Sequence, residues 1–514
     1  MTLLLRIIAL AAAFCALAAP AAAEQQDVAA AVRGVVRVVI IATNGKDAYF
    51  VGHGSGFAVA PDKVLTNAHV VEMLRTEKNL VVGIIPSQGK RSYGGKLTAY
   101  SPGNDLALIQ LSEGQLPVAT FFAGAVNDGQ HVTAIGYPAT VDRAQGLDLK
   151  EMVQPLSPVK TSGTVSTGRA SHGFDTVLHT APMAQGNSGG PLVDDCGRVL
   201  GVNSFGSQAE STADAEFGFA VSNREVASFL RQAGVSFLRT AMPCRSIADL
   251  DAQEEKRAQE QLAQKLQREQ IAATARAKAL ADARDQAEQQ VYAARENVMA
   301  IAGVLLVLGG VAMGGALMFH NQGKLRERNI AAIGGGLLLL GAIAAFLLRP
   351  SFSSIDDRID ISDIDGNAAA PVATADSEGD HVCRIDEMRS RITVSETTDV
   401  PLHWQSGGCV NHSTQYGKDG DDWSRIFVPN TEAVISINSF DPASGTYKVE
   451  RYLADADTME QARELRGHFT FKGCTADTAA LGELQDMQQQ IRAVLPPQPN
   501  ERLVYACAKA QPPE

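Results

Sequence analysis

Three short stretches hold the residue types needed to open a peptide bond. Gly186-Asn187-Ser188-Gly189-Gly190-Pro191 sets a serine among glycines. Thr66-Asn67-Ala68-His69-Val70 offers a histidine directly after a strand-like run, and Asn104-Asp105-Leu106-Ala107-Leu108-Ile109 offers a carboxylate followed by apolar residues that would bury it. A serine hydroxyl attacks well only when a base takes its proton, and the base needs a carboxylate to orient it. The charge that then develops on the attacked oxygen needs donors. Main-chain amides of Gly186 and Ser188 can supply them, because glycine permits the sharp turn that converges them. Ser188 is therefore the candidate nucleophile, His69 the candidate base, Asp105 its orienter, and the Gly186 and Ser188 amides the candidate oxyanion hole. The histidines at 53, 131, 172 and 179 sit in no comparable setting and read as ordinary surface or core residues.

The elements that must hold these groups are β-rich. Residues 35–42, 55–59, 63–66, 106–111 and 131–135 are short Val/Ile/Leu-rich runs bounded by Gly, Pro, Asn or Asp, the pattern of an all-β barrel or sandwich. Residues 221–233 read as one closing helix, with Ser222 and Asn223 able to cap it and Val226, Phe229 and Leu230 forming its apolar stripe.

The wording of these stretches resembles the trypsin-like serine peptidases, with the three groups in the same order, His, Asp, Ser. It is more closely similar to the bacterial HtrA/Deg-type branch: Gly-Ser-Gly-Phe at 54–57, Thr-Asn-Ala-His-Val-Val at 66–71, Asn-Asp-Leu-Ala-Leu-Ile at 104–109, Gly-Asn-Ser-Gly-Gly-Pro at 186–191 and Phe-Gly-Phe-Ala-Val at 217–221. The resemblance covers about residues 28–240, under half the chain. It implies a chymotrypsin-like pair of six-stranded β-barrels with the triad in the cleft between them, and a serine endopeptidase acting through an acyl-enzyme. It also implies a primary specificity pocket with its base near Pro182 and one wall of Val202, Asn203 and Ser204. No acid stands at 182, so a small or medium apolar side chain is the expectation. HtrA proteins typically carry PDZ domains after the protease, whereas this chain runs into a charged helix, so peptide-sensing and cage assembly are not carried over. The competing reading is a protease-like binding or signalling module without catalysis; the three groups standing together with Gly186 favour the enzyme.

At 514 residues the chain is too long for one hydrophobic core. Its net charge of -12 gives no reason to expect nucleic acid, which needs clustered Lys and Arg. Residues 1–23 read as a signal peptide: a short basic start, an apolar run, then Ala21-Ala22-Ala23 before Glu24. Residues 24–245 are the protease-like domain. Residues 246–297 are almost entirely Ala, Gln, Glu, Lys and Arg, a charged helical stalk or weak coiled coil that could self-associate. Its Leu262, Leu266, Ile271 and Leu280 are too widely spaced for a strong heptad seam.

Residues 298–319 and 330–348 are free of charge and long enough to span a bilayer. Gly310 and Gly314 stand at the spacing that lets two such helices approach. The loop 320–329 between them holds Lys324, Arg326 and Arg328 against Glu327, so it is expected in the cytoplasm, with both long flanks outside a bacterial inner membrane. Residues 349–380 form an acidic linker, and 381–514 a small α+β domain. Strands are expected there at 392–394, 432–438, 447–453 and 502–506, and helices at 459–465 and 481–494. Apart from Cys15 in the leader, six cysteines remain, an even number that suits an oxidising compartment. Cys196 and Cys244 are a candidate disulfide; Cys383, Cys409, Cys474 and Cys507 allow three pairings. None has zinc spacing, so no metal or cofactor is expected, and the partners expected are polypeptide substrates and the lipid bilayer.

Overall fold

A computed structural model of the chain describes residues 21–44, 47–171, 173–207, 216–352, 378–395, 397–420, 422–467, 469 and 473–510. Residues 1–20 of the expected signal peptide, His172 and most of the expected linker at 349–380 fall outside them. The chain divides into two compact units, one comprising residues up to Glu254 and from Ala375 onward, the other Glu255–Thr374.

Helix α1 (Ala21–Val32) leads into β1 (Val35–Thr43), β2 (Ala48–Ala60), β3 (Lys63–Thr66), the short helices α2 (Ala68–Val71) and α3 (Met73–Thr76), then β4 (Leu80–Pro86), β5 (Tyr93–Ser101) and β6 (Leu106–Leu111). The six strands close into a barrel in the order β1-β2-β3-β6-β5-β4. Strand alternation explains the closure: Val36, Val38 and Ile40 of β1 point into the barrel with Ala58, Val64, Ile84 and Ile109.

The second barrel uses β8 (His131–Gly136), β9 (Val159–Ser171), β10 (Phe174–His179), β11 (Pro191–Val193), β12 (Val199–Gly206) and β13 (Gly218–Ser222), preceded by β7 (Phe121–Phe122). Its ring runs β8-β9-β10-β13-β12-β11 and returns to β8, while β7 and then β14 (Arg239–Thr240) extend it beside β12. Helices α4 (Ala139–Gln145) and α5 (Leu149–Met152) bridge β8 and β9, and α6 (Asn223–Gln232) follows β13. The closing helix thus starts at 223, because Val221 and Ser222 are still paired as strand. Between the barrels lies an apolar layer in which Val35, Phe57, Leu65 and Leu106 meet Val193, Val202, Val221 and the α6 stripe of Val226, Phe229 and Leu230.

The charged stalk and the first apolar span form one helix, α7 (Ile247–Asn321); α8 (Leu325–Leu347) follows after a break at Gly323. Both α7 and α8 are long and apolar enough to cross a membrane, and only 11% of each apolar window is buried. Where α7 and α8 touch, the small residues are not those the spacing suggested. Gly310 and Gly314 have nothing within 4 Å of a would-be Cβ, whereas one on Gly309 would lie 2.9 Å from Leu339 and one on Gly335 3.0 Å from Met313.

The C-terminal domain is an α+β fold: nine antiparallel strands with α9 (Ala456–Gly467) and α10 (Thr478–Val494). The strands are β15 (Gly379–Ile385), β16 (Val400–Gln405), β17 (Cys409–Val410), β18 (Thr414–Gln415), β19 (Gly417–Asp419), β20 (Asp422–Phe427), β21 (Ile435–Asp441), β22 (Thr446–Tyr452) and β23 (Glu501–Lys509), in the order β18-β17-β16-β15-β23-β22-β21-β20-β19. Only Tyr416 separates the two edge strands in the chain, so the sheet must curl until its edges meet. One face packs Ile426, Ile435 and Ile437 against Met459, Leu484 and Ile491 of the helices; the other collects Trp404, Tyr416, Phe440, Tyr447 and Tyr505. Three disulfides join Cys196 to Cys244, Cys383 to Cys507 and Cys409 to Cys474.

The strand expected at 392–394 is not formed. The amides of Thr393, Val394 and Ser395 all donate to the buried carboxylate of Glu501, at 2.7, 2.9 and 2.9 Å, which takes them out of any ladder.

Candidate active site

His69 is presented by α2, a single helical turn after β3 whose N-cap, Asn67, donates its side-chain amide to the carbonyl of Asp105 (2.8 Å). Asp105 follows a one-turn 3-10 helix (Pro102–Asn104) and sits in the left-handed region at φ 52°, a conformation aspartate tolerates better than most residues. The turn points its carboxylate at His69. Nδ1 of His69 lies 3.0 and 2.9 Å from the two Asp105 oxygens, and the His69 main-chain amide donates to Oδ1 at 3.1 Å. Ser204, on β12, donates its hydroxyl to Asp105 Oδ2 at 2.5 Å. Burial alone would raise the Asp105 pKa, but the hydrogen bond and charge of His69 and the Ser204 hydroxyl outweigh it and hold the carboxyl below its ordinary range. The carboxylate therefore stays ionised, ready to fix the imidazole tautomer with Nδ1 protonated and Nε2 free.

Ser188 begins the approach to β11 and is half-buried. Its hydroxyl donates to the carbonyl of Ser204 at 2.8 Å, and among the described residues no hydrogen bond joins it to His69. Such bonds often form only once substrate is seated. Ser204 thus touches two of the three groups, its hydroxyl on Asp105 and its carbonyl on Ser188.

The loop before Ser188 commits its carbonyls one by one. The carbonyl of Gln185 accepts from Ala139 N (2.8 Å), and that of Asn187 from Gly190 N (3.0 Å), while Asn187 N donates to Ala184 O (3.0 Å). Because each trans peptide sends its N–H opposite to its C=O, the amides of Gly186 and Ser188 face away from these partners. Among the described residues neither has a backbone acceptor outside the strand ladders. Gly186 is at φ 101°, and a Cβ there would lie 2.3 Å from the carbonyl of Tyr137, so no other residue fits. Two free donors flanking a serine hydroxyl can hold an oxyanion.

The pocket residues inferred from resemblance are spread out. Pro182 is exposed and its carbonyl accepts from Thr161 Oγ1 at 2.7 Å. Val202 faces the apolar layer between the barrels. Asn203 is fully buried, its side-chain amide donating to Pro191 O at 3.1 Å. Of the four, only Ser204 is hydrogen-bonded to the candidate catalytic groups, Asp105 and Ser188.

Histidines that read as ordinary in sequence divide by burial. His131 is exposed against Asp195 (2.5 Å). His179 is fully buried on β10, and desolvation lowers its pKa to about 4, partly opposed by Asn203. His53 lies behind the Gly186 turn, with Nε2 2.9 Å from Tyr137 O and 3.3 Å from Asp142, and burial lowers its pKa too. The signal for His53 was available, since it precedes the Gly-Ser-Gly-Phe string; nothing local marks His179. Among the described residues no group of three His, Cys, Asp or Glu side chains is placed to hold a metal ion.

Residues 54–202 match the family model described as the trypsin-like peptidase domain, the class that two closed six-stranded barrels around this cleft define. The chain thus carries a trypsin-like peptidase domain and has relatives of the HtrA/Deg type. It is 31% identical over 218 residues to serine protease Rv3671c of Mycobacterium tuberculosis (strain ATCC 25618 / H37Rv), covering 42% of this chain and 50% of that one. It is 29% identical over 197 residues to the periplasmic serine endoprotease DegP of Escherichia coli (strain K12), covering 37% of each. Among solved structures, the active form of the Rv3671c protease from M. tuberculosis aligns at 26% identity and a TM-score of 0.33, over 43% of this chain and 90% of that one. The chain spans about half the length of the first of these curated relatives.

Proposed function

We propose that the protein is a membrane-anchored serine endopeptidase that cleaves envelope or misfolded polypeptides. Ser188 Oγ attacks the scissile carbonyl while its proton passes to His69 Nε2. The oxyanion rests on the amides of Gly186 and Ser188, and His69 returns the proton to the leaving amine. Water then releases the acyl group from Ser188 by the same groups in reverse. Asp105 keeps the imidazole in the required tautomer. The observation that carries the reading is the short bonding between His69 Nδ1 and both Asp105 oxygens, in a trypsin-like domain with two unpartnered amides beside Ser188.

Two long helices with outward-facing apolar side chains support anchoring in a bilayer, with the basic 320–329 loop cytoplasmic and both folded domains outside. Three disulfides support an oxidising compartment, reached through cleavage of the 1–23 signal peptide. The exposed Leu262, Leu266, Ile271 and Leu280 would be the apolar contacts if the stalk self-associates. The remaining boundaries, 24–245 for the protease domain, 246–297 for the stalk, 298–319 and 330–348 for the spans, 349–380 for the linker and 381–514 for the last domain, belong to the same proposal.

A non-catalytic binding module is the second reading, favoured by the Ser188 hydroxyl donating to Ser204 instead of His69. Casein cleavage and fluorophosphonate labelling of the full-length protein in detergent, beside Ser188→Ala, decide between them. Cleavage and labelling by the parent alone support the enzyme. A folded parent that does neither overturns it in favour of the binding module.

A further inference from the structure

Ser55, the serine of Gly-Ser-Gly-Phe, makes hydrogen bonds in four directions although it touches neither His69 nor Asp105. It is fully buried in β2 of the first barrel. Its hydroxyl donates to the carbonyl of Gly186 at 2.7 Å and accepts from the amide of Tyr137 at 2.9 Å. Its own amide donates to the carbonyl of Ser188 at 2.8 Å, and its carbonyl accepts from Thr66 Oγ1 at 2.7 Å. One residue of the first barrel therefore holds the carbonyls of both residues whose amides flank the nucleophile, and ties them to β3, which leads to His69, and to β8's exit.

The two peptides on either side of the Gly186 Cα are thus fixed by two different donors. The Gln185–Gly186 peptide is held by the amide of Ala139, and the Gly186–Asn187 peptide by the hydroxyl of Ser55. Gly186 is the residue least able to resist rotation by itself, since without a Cβ it samples positive and negative φ with similar ease. A flip of the Gln185–Gly186 peptide would turn the Gly186 amide away. A rotation of the Gly186–Asn187 peptide would change ψ at Gly186 and release the turn on which that amide is carried. Asn187, between Gly186 and Ser188, is uncharged, and its main-chain amide is already used on Ala184.

We propose that Ser55 is a positioning residue that keeps the oxyanion turn preformed in the resting protein, together with the main-chain amide of Ala139. The proposal rests on the serine-peptidase reading and adds that the turn needs no substrate to order it. Loss of either bond lets the turn populate orientations in which the Gly186 amide points away. The loss falls on transition-state stabilisation, because the oxyanion exists only there, and leaves substrate contacts in place.

The test uses full-length protein in detergent. Ser55→Ala removes the hydroxyl alone. Ala139→Pro removes the other donor at the first residue of α4, where proline is tolerated and the preceding Pro138 is already extended at ψ 124°. Each variant is expected to lower kcat on a fluorogenic peptide by about 10- to 1,000-fold, with KM changed less than about threefold, in line with loss of an oxyanion donor. Affinity for a peptide boronate, which needs the oxyanion hole, should fall with kcat, whereas affinity for the cleaved acyl-side peptide should not. A melting temperature within a few degrees of the parent separates positioning from unfolding. If the parent is inactive, the peptidase reading fails. If the parent is active and both folded variants match it in kcat and boronate affinity, this inference alone is overturned. A fall in boronate and product-peptide affinity by the same factor would also overturn it, since that marks general disruption of the cleft.

Discussion

The hydroxyl of Ser204 donates to Asp105 at 2.5 Å, while the carbonyl of the same residue accepts the Ser188 hydroxyl at 2.8 Å. Ser204 belongs to the second barrel and Asp105 to the first, so this bond crosses the cleft and locks the carboxylate against rotation. Hydrogen bonds to charged groups are worth about 1.5–3 kcal/mol. Ser204→Ala should lower kcat/KM roughly 10- to 100-fold if most of that is lost from the orientation of His69. Steady-state cleavage of a fluorogenic peptide by the detergent-solubilised variant measures it. Unchanged kinetics would mean that His69 alone holds Asp105.

The candidate catalytic groups were legible because each lies in a short local string. The Val/Ile-rich strands ending in turn residues marked an all-β barrel or sandwich, and the resemblance carried by those strings implied the pair of barrels. What was not legible depends on distant partners. Ser204 reads as a pocket wall until Asp105 is brought beside it from 99 residues away. Thr393 and Val394 have strand-forming side chains, yet Glu501 captures their amides. The pair Gly310 and Gly314 has the right spacing, but which helix face meets the neighbour depends on the rotation of both helices, and Gly309 and Gly335 occupy the contact. The C-terminal strands β15 to β20 were missed for the most part, being short, rich in Gly, His, Trp and Asp, and paired only after the sheet curls.

Gly186 should tolerate no substitution. Its φ of 101° and the 2.3 Å approach of a Cβ to Tyr137 O force either a backbone shift or displacement of α4. Gly186→Ala is expected to cut kcat about 100-fold or more, as for loss of an oxyanion donor, while the protein still folds. Fluorophosphonate labelling rate gives the comparison. Parent-like labelling would show that the turn adapts.

Asp27 of α1 and Arg391 of the C-terminal domain form a buried ion pair, and Asn500 Nδ2 donates to the same carboxylate at 2.9 Å. Burial raises the Asp27 pKa, opposed by Arg391, so the carboxylate depends on its partner to stay charged. Removing one partner of a buried pair costs about 3–5 kcal/mol, because the other is left uncompensated. The chain's 2 tryptophans, Trp404 and Trp423, both lie in the C-terminal domain. Their emission therefore reports that domain alone. Asp27→Ala, a change in the protease half, should move the urea midpoint of tryptophan emission downward, and Asp27→Leu with Arg391→Met should recover much of the loss. An unmoved midpoint in Asp27→Ala would mean that the two domains unfold independently.

His179 ties stability to pH. It is fully buried between β9 and β13 on β10, and its pKa is lowered from 6.5 to about 4, mainly by desolvation. The unfolded chain therefore binds a proton near pH 6.5 that the folded chain refuses until about pH 4. The stabilisation is complete above about pH 6.5 and is lost as pH falls through that window. At ~1.4 kcal/mol per pH unit, it amounts to about 3 kcal/mol by pH 4. Hydrogen exchange of the Phe174–His179 amides, corrected for intrinsic rates, reads the opening free energy of this strand at pH 7 and pH 4.5. The parent should lose protection strongly over that range. His179→Leu keeps an apolar side chain under Gly218 and removes the titration, so its loss should be smaller by about 2–3 kcal/mol. Equal losses in parent and variant would place the acid sensitivity in other groups, first among them His53, whose pKa burial also lowers.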